Sequence, residues 1–141
     1  MNPEPETSVI RGSCLCGAVR FEITGPGAHL TYCHCSRCRK QAGAFSAVVM
    51  VRREDFRLLS GADQIRRYIP ETPWRHARAF CGVCGSSLGE PSDDQEMFPI
   101  ACSALDDDPG LRPVLHLHAA SKPAWYEITD GVKQVPSDYQ G

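Results

Sequence analysis

The sequence lacks any apolar run that approaches the roughly 20 residues needed to cross a bilayer. Residues 1–8 are acidic and contain no apolar stretch, so we do not expect a secretory signal peptide there. These absences argue against a membrane role and lead us to expect a cytoplasmic protein. Thiols stay reduced in that compartment, so the eight cysteines favour metal binding over disulfides.

An excess of basic residues is also missing. The net charge is −2, so the whole chain offers no basic footprint for nucleic acid. The charges are nevertheless unevenly distributed, because residues 11–80 carry twelve Lys/Arg and five Asp/Glu, whereas residues 81–141 carry three and ten. Either the two halves attract each other within one fold, or cations of the first half line a pocket for an anionic ligand.

No internal repeat, low-complexity block or linker divides the chain. Its 141 residues suit one core, and we predict a single domain over residues 9–135 with loose tails at 1–8 and 136–141. Glycine and proline, at 12 and 11, favour short strands and turns over long helices. The sequence therefore predicts an all-β architecture with short helical turns.

Individual elements follow from periodicity. Residues 19–24 alternate apolar and polar side chains, which is typical of a half-buried strand. A short helix is predicted over residues 36–42, with Gly43 ending it. The remaining expectations are strands over 45–51, 64–69, 97–101 and 114–119, and one helical turn over 123–125.

Seven of the eight cysteines form three clusters with metal-ligand spacing: Cys14-Leu15-Cys16, Cys33-His34-Cys35-Ser36-Arg37-Cys38 and Cys81-Gly82-Val83-Cys84. Zinc prefers four ligands in a tetrahedron, and both C-x-C and C-x-x-C can direct two sulfurs at one ion. Glycine follows the second cysteine of the first and the third cluster. This matching design predicts that Cys14, Cys16, Cys81 and Cys84 share one closed, structural zinc site.

The central cluster then holds three sulfurs, Cys33, Cys35 and Cys38, and no obvious fourth ligand. Three protein ligands with an open position are typical of a catalytic zinc. His34 lies between two of the cysteines, and we expect its side chain to point away from the metal. The other candidates are His29, His76, His116 and His118, of which the last two have strand spacing and are expected on one strand face as ordinary strand histidines.

The sequence gives less support to other roles for the cysteines. A C-x-C disulfide closes a strained ring, rubredoxin-type iron needs paired C-x-x-C motifs, and a thioredoxin-type C-x-x-C needs a βαβ context that this sequence lacks. Cys102 stands apart from every cluster, and we expect it to pack in the core as a small hydrophobic side chain.

Together these motifs resemble the glutathione-dependent formaldehyde-activating enzyme family. The resemblance rests on Gly12-x-Cys14-x-Cys16-Gly17-x-Val19-x-Phe21, Cys33-His34-Cys35-x-x-Cys38-Arg39-Lys40 and Phe80-Cys81-x-x-Cys84-Gly85, and on the later landmarks Leu105-Asp106-Asp107, His116, Lys122 and Trp125. It runs from about Val9 to Val135. It implies a β-tent fold of small antiparallel sheets and two zinc ions per chain, one structural and one catalytic with an exchangeable position.

The resemblance also implies an activity. The family joins glutathione to formaldehyde and gives S-hydroxymethylglutathione, a reaction of the carbon–sulfur lyase class, so the expected partners are a small-molecule thiol and an aldehyde. Arg37, Arg39 and Lys40 are candidates to pair with substrate carboxylates. Ser103 occupies a position where the family has glycine, which affects the expected size or polarity of the substrate. The alternative is a non-catalytic, zinc-stabilised binding or chaperone-like module of the same fold.

Overall fold

Strands dominate the described part of the chain, residues 8–137, in the computed structural model. It contains one α-helix, α1 (Ser36–Ala42). The strands are short, because glycine, proline and charged residues interrupt the apolar segments every few residues. The strands are β1 (Val9–Ser13), β2 (Arg20–Thr24), β3 (Leu30–Cys33), β4 (Ser46–Arg52), β5 (Phe56–Ser60), β6 (Ile65–Tyr68), β7 (Arg78–Cys81), β8 (Ser87–Gly89), β9 (Met97–Ala101) and β10 (Pro113–Leu117).

The strands form two sheets. A three-stranded antiparallel sheet has the order β1-β2-β5, and a seven-stranded sheet has the order β10-β3-β4-β9-β8-β7-β6. All neighbours in the larger sheet are antiparallel except β10 and β3, which run parallel at one edge. The predicted all-β class is confirmed, with a parallel edge pair that the sequence did not indicate.

The core lies where the inner faces of the two sheets meet. Strand alternation directs Phe21 and Ile23 of β2 inwards from the smaller sheet. Val49 of β4 and Phe98 of β9 belong to the same buried cluster from the larger sheet. Phe56 joins the two sides, since its ring lies 5.3 Å from the rings of both Phe21 and Phe98.

The predicted elements match the structure with shifted ends. The strands predicted over 19–24, 45–51 and 64–69 are β2, β4 and β6, and residues 97–101 are β9. Strand β10 ends two residues earlier than predicted, because His118 adopts a left-handed conformation (φ 54°) that starts a 3-10 turn over Ala119–Ser121. The predicted turn over 123–125 is present, with the Tyr126 N–H donating to the Pro123 carbonyl.

The ends of the described chain are hydrogen-bonded to the fold. Ser8 accepts a backbone hydrogen bond from Gly25, and Pro136 and Ser137 accept from Ala120 and His118. Of the predicted tails, residues 1–7 and 138–141 lie outside the described residues. None of the helices in residues 8–137 has the length and apolar character required to cross a membrane.

Candidate metal centres and the adjoining cavity

The first candidate centre unites cysteines that are far apart in sequence. Cys14 and Cys16 follow β1, Cys81 ends β7, and Cys84 lies in the turn before β8. The Cys14 and Cys16 sulfurs are 3.6 Å apart, and those of Cys16 and Cys81 are 3.9 Å apart. All four sulfurs lie within 4.8 Å of one another, so the group can hold a metal ion.

Two similar turns produce this arrangement. Gly17 donates its N–H to the Cys14 carbonyl and Gly85 donates to the Cys81 carbonyl, and both glycines have a φ of 80°. This left-handed conformation favours glycine, which explains the glycine after each cysteine pair.

Backbone and hydroxyl groups orient the sulfurs of this group. The N–H of Val19 donates to Cys14 Sγ at 3.2 Å, and the N–H of Val83 donates to Cys81 Sγ at 3.4 Å. The Ser86 hydroxyl lies 3.2 Å from Cys84 Sγ and lowers the pKa of that thiol to about 5. Such hydrogen bonds stabilise thiolates, the form in which cysteine binds a metal.

The second candidate centre is formed by one short segment. Cys33 ends β3, Cys35 caps the N-terminus of α1, and Cys38 lies in the first turn of that helix. The Cys35 sulfur accepts the Cys38 N–H at 3.3 Å, which fixes the loop against the helix. The three sulfurs lie within 4.8 Å of one another, and no fourth His, Cys, Asp or Glu of residues 8–137 completes the group.

The three sulfurs of this group are so close together that a bound cation would stabilise them. The contact with Cys33 lowers the pKa of Cys35, and the contact with Cys35 raises the pKa of Cys33. A single ionised sulfur is therefore favoured while its neighbours stay protonated. A divalent metal removes this conflict, because it stabilises all three thiolates at once. The donor set therefore fits a thiophilic metal ion.

A cavity of about 870 Å³ opens beside this second group, and Cys33, Cys35 and Cys38 all line it. Three arginines also line the cavity: Arg37, Arg75 and Arg78. Arg78 donates from Nη1 to Cys38 Sγ at 3.3 Å, and the Arg37 guanidinium stacks 4.4 Å from the centre of the Trp74 ring. Glu90 is the one carboxylate that the described residues contribute to this lining, and it lies 3.5 Å from His76 Nδ1.

The sequence analysis identified the cations of this cavity only in part. Arg37 lines it as expected, but Arg39 and Lys40 do not, because a residue advances about 100° around a helix and these two lie on the other side of α1. Lys40 lines a smaller neighbouring cavity of about 450 Å³. Arg75 and Arg78 were not predicted, since nothing local in the sequence shows that β7 and the segment before it approach α1.

The histidines are divided between structural and cavity positions. His34 is fully buried, and its Nε2 lies 2.7 Å from Nδ1 of the equally buried His116. His116 Nε2 lies 2.9 Å from Asp130, and this contact lowers the pKa of the Asp130 carboxyl. The prediction that His116 and His118 share a strand face is wrong, because β10 ends at Leu117 and His118 lines the cavity beyond it. His29 is exposed.

Cys102 and Ser103 also line the cavity. Cys102 packs against the core while remaining partly exposed, and burial raises the pKa of its thiol to about 11. It is not a member of either cysteine group. Ser103 is exposed and lines the cavity, so the residue can contact a bound molecule.

The fold and the two cysteine groups define a small β protein that can hold one metal in a closed group and another beside a cavity. The chain belongs to the glutathione-dependent formaldehyde-activating enzyme family, whose sequence profile matches residues 9–121. The resemblance found in the cysteine motifs is thereby confirmed.

Two relatives illustrate this membership. A Halomonas elongata protein, provisionally named a glutathione-dependent formaldehyde-activating enzyme, is 34% identical over 128 residues, covering 85% of this chain and 81% of that protein. A crystal structure of a Rhodobacter sphaeroides protein matches with a TM-score of 0.55 and 28% identity, covering 73% of this chain and 91% of that one. The family and the relative's name support an enzyme of this family with general formaldehyde-activating function.

Proposed function

We propose that the chain is a zinc-dependent carbon–sulfur lyase that reversibly joins a glutathione-like thiol to a small, formaldehyde-like aldehyde to give an S-hydroxymethyl adduct. One observation carries the proposal: Cys33, Cys35 and Cys38 form a three-sulfur group on the wall of an arginine-lined cavity. A zinc ion held by these three cysteines would have room for one further ligand from the cavity.

We assign zinc to both cysteine groups. Cys14, Cys16, Cys81 and Cys84 supply four sulfurs and leave no position for substrate, so this site has a structural role. Cys33, Cys35 and Cys38 form the catalytic site. Zinc bound there supplies Lewis-acid chemistry, which lowers the pKa of a coordinating thiol so that it is a thiolate near neutral pH.

The arginines select the thiol. Arg37, Arg75 and Arg78 give the cavity an excess of positive charge over Glu90, whose carboxylate is already close to His76. Guanidinium groups bind carboxylates through paired hydrogen bonds, and glutathione carries two carboxylates. We therefore assign these arginines to the charged ends of the thiol, which holds its sulfur near the three cysteines.

The reaction needs no redox partner. The substrate sulfur forms a bond to the carbonyl carbon, the carbon–oxygen double bond becomes a single bond, and the thiol proton ends on the new hydroxyl oxygen. The reverse reaction breaks the same carbon–sulfur bond. Residues lining the cavity contribute by orienting both partners and excluding water, since positioning alone accelerates a two-substrate reaction.

NMR exchange spectroscopy tests the proposal by comparing adduct formation from glutathione and formaldehyde with and without the protein. We expect faster exchange with the protein. In Arg75→Ala the half-saturating glutathione concentration should rise about fivefold, equivalent to about 1 kcal/mol for a partly exposed ion pair. Arg67→Ala is the matched control, because Arg67 is exposed on β6 outside the cavity. An unchanged rate and no effect of glutathione on the metal site would instead favour the non-catalytic binding module.

A further inference from the structure

An apolar strip forms part of the cavity wall on the outer face of the seven-stranded sheet. The strand register pairs Thr31 with Val48 and Val48 with Ala101, and the next cavity-facing pair is Met50 with Pro99. All of these residues line the cavity, whereas the alternating Val49 faces the core. We call Val48, Met50, Pro99 and Ala101 the apolar strip.

The apolar strip begins beside the candidate catalytic group and runs away from it. Cys33 pairs with Ser46 in the register, and both line the cavity. Met50 lies about 13 Å beyond Ser46 along β4, and the strip itself spans about 7 Å from Val48 to Met50. The strip is therefore much longer than the single carbon of formaldehyde.

The polar and apolar parts of the lining come from different elements. Arg37 belongs to α1, Arg75 to the segment before β7 and Arg78 to the start of β7, whereas the apolar strip belongs to β4 and β9. A glutathione-like thiol has little apolar surface to cover the strip. The remaining substrate, the aldehyde, is the component that can bury it.

On these grounds, and resting on the proposed thiol–aldehyde chemistry, we propose that the preferred aldehyde carries an apolar chain or ring of several carbons. Its carbonyl carbon forms the bond to the thiol sulfur, its oxygen takes the thiol proton, and its apolar substituent lies along the strip. The product is a thiohemiacetal, in which a 1-hydroxyalkyl group is bonded to the sulfur of the former thiol, and the reverse reaction releases the same thiol and aldehyde.

Binding of stable thioethers tests the strip without turnover. Calorimetric titration of the zinc-loaded protein with S-hexylglutathione and S-methylglutathione compares a six-carbon with a one-carbon substituent on the same peptide. We expect the hexyl compound to bind at least about tenfold more tightly, because even one methylene in an apolar pocket changes selectivity by about tenfold or more. Its binding should also show the more negative heat-capacity change.

Exchange spectroscopy with glutathione then compares hexanal with formaldehyde, each relative to its spontaneous rate. We expect greater acceleration with hexanal. Val48→Phe shortens the strip, and Met50→Gln makes it polar at a similar side-chain length. Both variants should lower the ratio of the acceleration with hexanal to that with formaldehyde, and Val48→Phe should lower it by at least about tenfold. Val114→Phe is the control, since Val114 is exposed on β10 outside the cavity, and it should leave the ratio unchanged. Thermal melts verify that each variant is folded.

The outcomes separate this inference from the proposed function. Equal binding of the two thioethers overturns the preference for an apolar aldehyde, and so does a hexanal-to-formaldehyde ratio that neither strip variant changes. If the protein still accelerates the reaction with formaldehyde, the proposed thiol–aldehyde activity stands. Absence of acceleration with both aldehydes, together with no binding of either thioether, overturns both proposals.

Discussion

Cys102 has different surroundings from the seven clustered cysteines. Its thiol packs against the core at the cavity wall, and burial raises its pKa to about 11, so it stays protonated near neutral pH. Its sulfur belongs to neither of the two cysteine groups whose sulfurs lie within 4.8 Å of one another. We therefore expect Cys102→Ala to keep every metal ion of the wild type and to lose about 1 kcal/mol of unfolding free energy. Elemental analysis and urea denaturation measure both quantities, and loss of one metal equivalent would instead identify Cys102 as a ligand.

The cysteine groups were predictable at the residue scale, whereas most of the cavity was not. Spacing within C-x-C and C-x-x-C limits which sulfurs can meet, and the repeated glycines suggested which two pairs share a turn geometry. Arg78 of β7, however, approaches Cys38, and Arg75 of the preceding connection lines the same cavity. Their role depends on how β7 reaches its place in the larger sheet, and no local pattern encodes that long-range arrangement.

Strand prediction succeeded for segments with a clear apolar pattern in the sequence. Residues 19–24 alternate clearly and form β2, and the apolar segment over 97–101 forms β9. Strands β1 and β5 were not predicted, and β3 and β7 were missed because each ends in a cysteine motif that is typical of a loop, whereas β8 has only three residues. These strands are held by their neighbours in the sheet and have little signal of their own.

Gly89 is required where β8 meets β9. Its φ is 87°, and a Cβ there would lie 2.4 Å from the Pro99 carbonyl oxygen. Gly89→Ala should therefore lower the unfolding free energy by about 3 kcal/mol or more, since it combines backbone strain with a steric clash. Gly110→Ala is the control, with a φ of 76° and no atom within 4 Å of the added Cβ, and should cost only about 1 kcal/mol. Equal urea-denaturation midpoints for the two variants would contradict the clash.

An ion pair connects β1 to the segment after β9. Asp107 accepts hydrogen bonds from the backbone N–H and the guanidinium of Arg11, and these lower the pKa of Asp107 from 3.8 to about 2. A carboxyl with a lowered folded-state pKa contributes stability above its unfolded pKa and loses it as pH falls towards the folded value. The contribution is therefore present above about pH 4 and is lost between about pH 4 and pH 2.

Asp107→Asn isolates this contribution from the general effect of acid on the metal sites. The stability difference between wild type and variant should be greatest above about pH 4 and should shrink as the pH falls below that value. Added salt should reduce the difference, because Arg11 is largely exposed. Urea-denaturation midpoints of both proteins, measured above and below about pH 4, give this stability difference. A difference that does not change with pH would argue against a titrating Asp107.

The two cysteine groups have different positions in the whole molecule. The four-cysteine group joins the end of β1, in the smaller sheet, to the end of β7, in the larger sheet, across a separation of 65 residues between Cys16 and Cys81. The three-cysteine group belongs to one local segment of β3 and α1. A metal in the first group thus connects both sheets, whereas a metal in the second supports only a short loop beside the cavity.

This difference predicts two separable steps of metal loss. Purified protein should contain close to two zinc ions, and a competing chelator should first remove the ion of Cys33, Cys35 and Cys38, which is open to the cavity, while circular dichroism stays native. Loss of the second ion should coincide with unfolding, because binding free energies of about 10–16 kcal/mol at structural zinc sites are folding free energy.

Two serine variants assign these steps to the groups. Cys81→Ser should unfold or strongly destabilise the domain, since it removes a fully buried ligand of the group that connects the sheets. Cys35→Ser should keep the fold and the ion of the four-cysteine group while weakening the ion of its own three-cysteine group, because serine can still accept the Cys38 N–H as a helix cap. Elemental analysis and thermal melts followed by circular dichroism measure both effects. A Cys81→Ser protein that melts like wild type, with a Cys35→Ser protein that does not fold, would reverse the assignment of structural and catalytic sites.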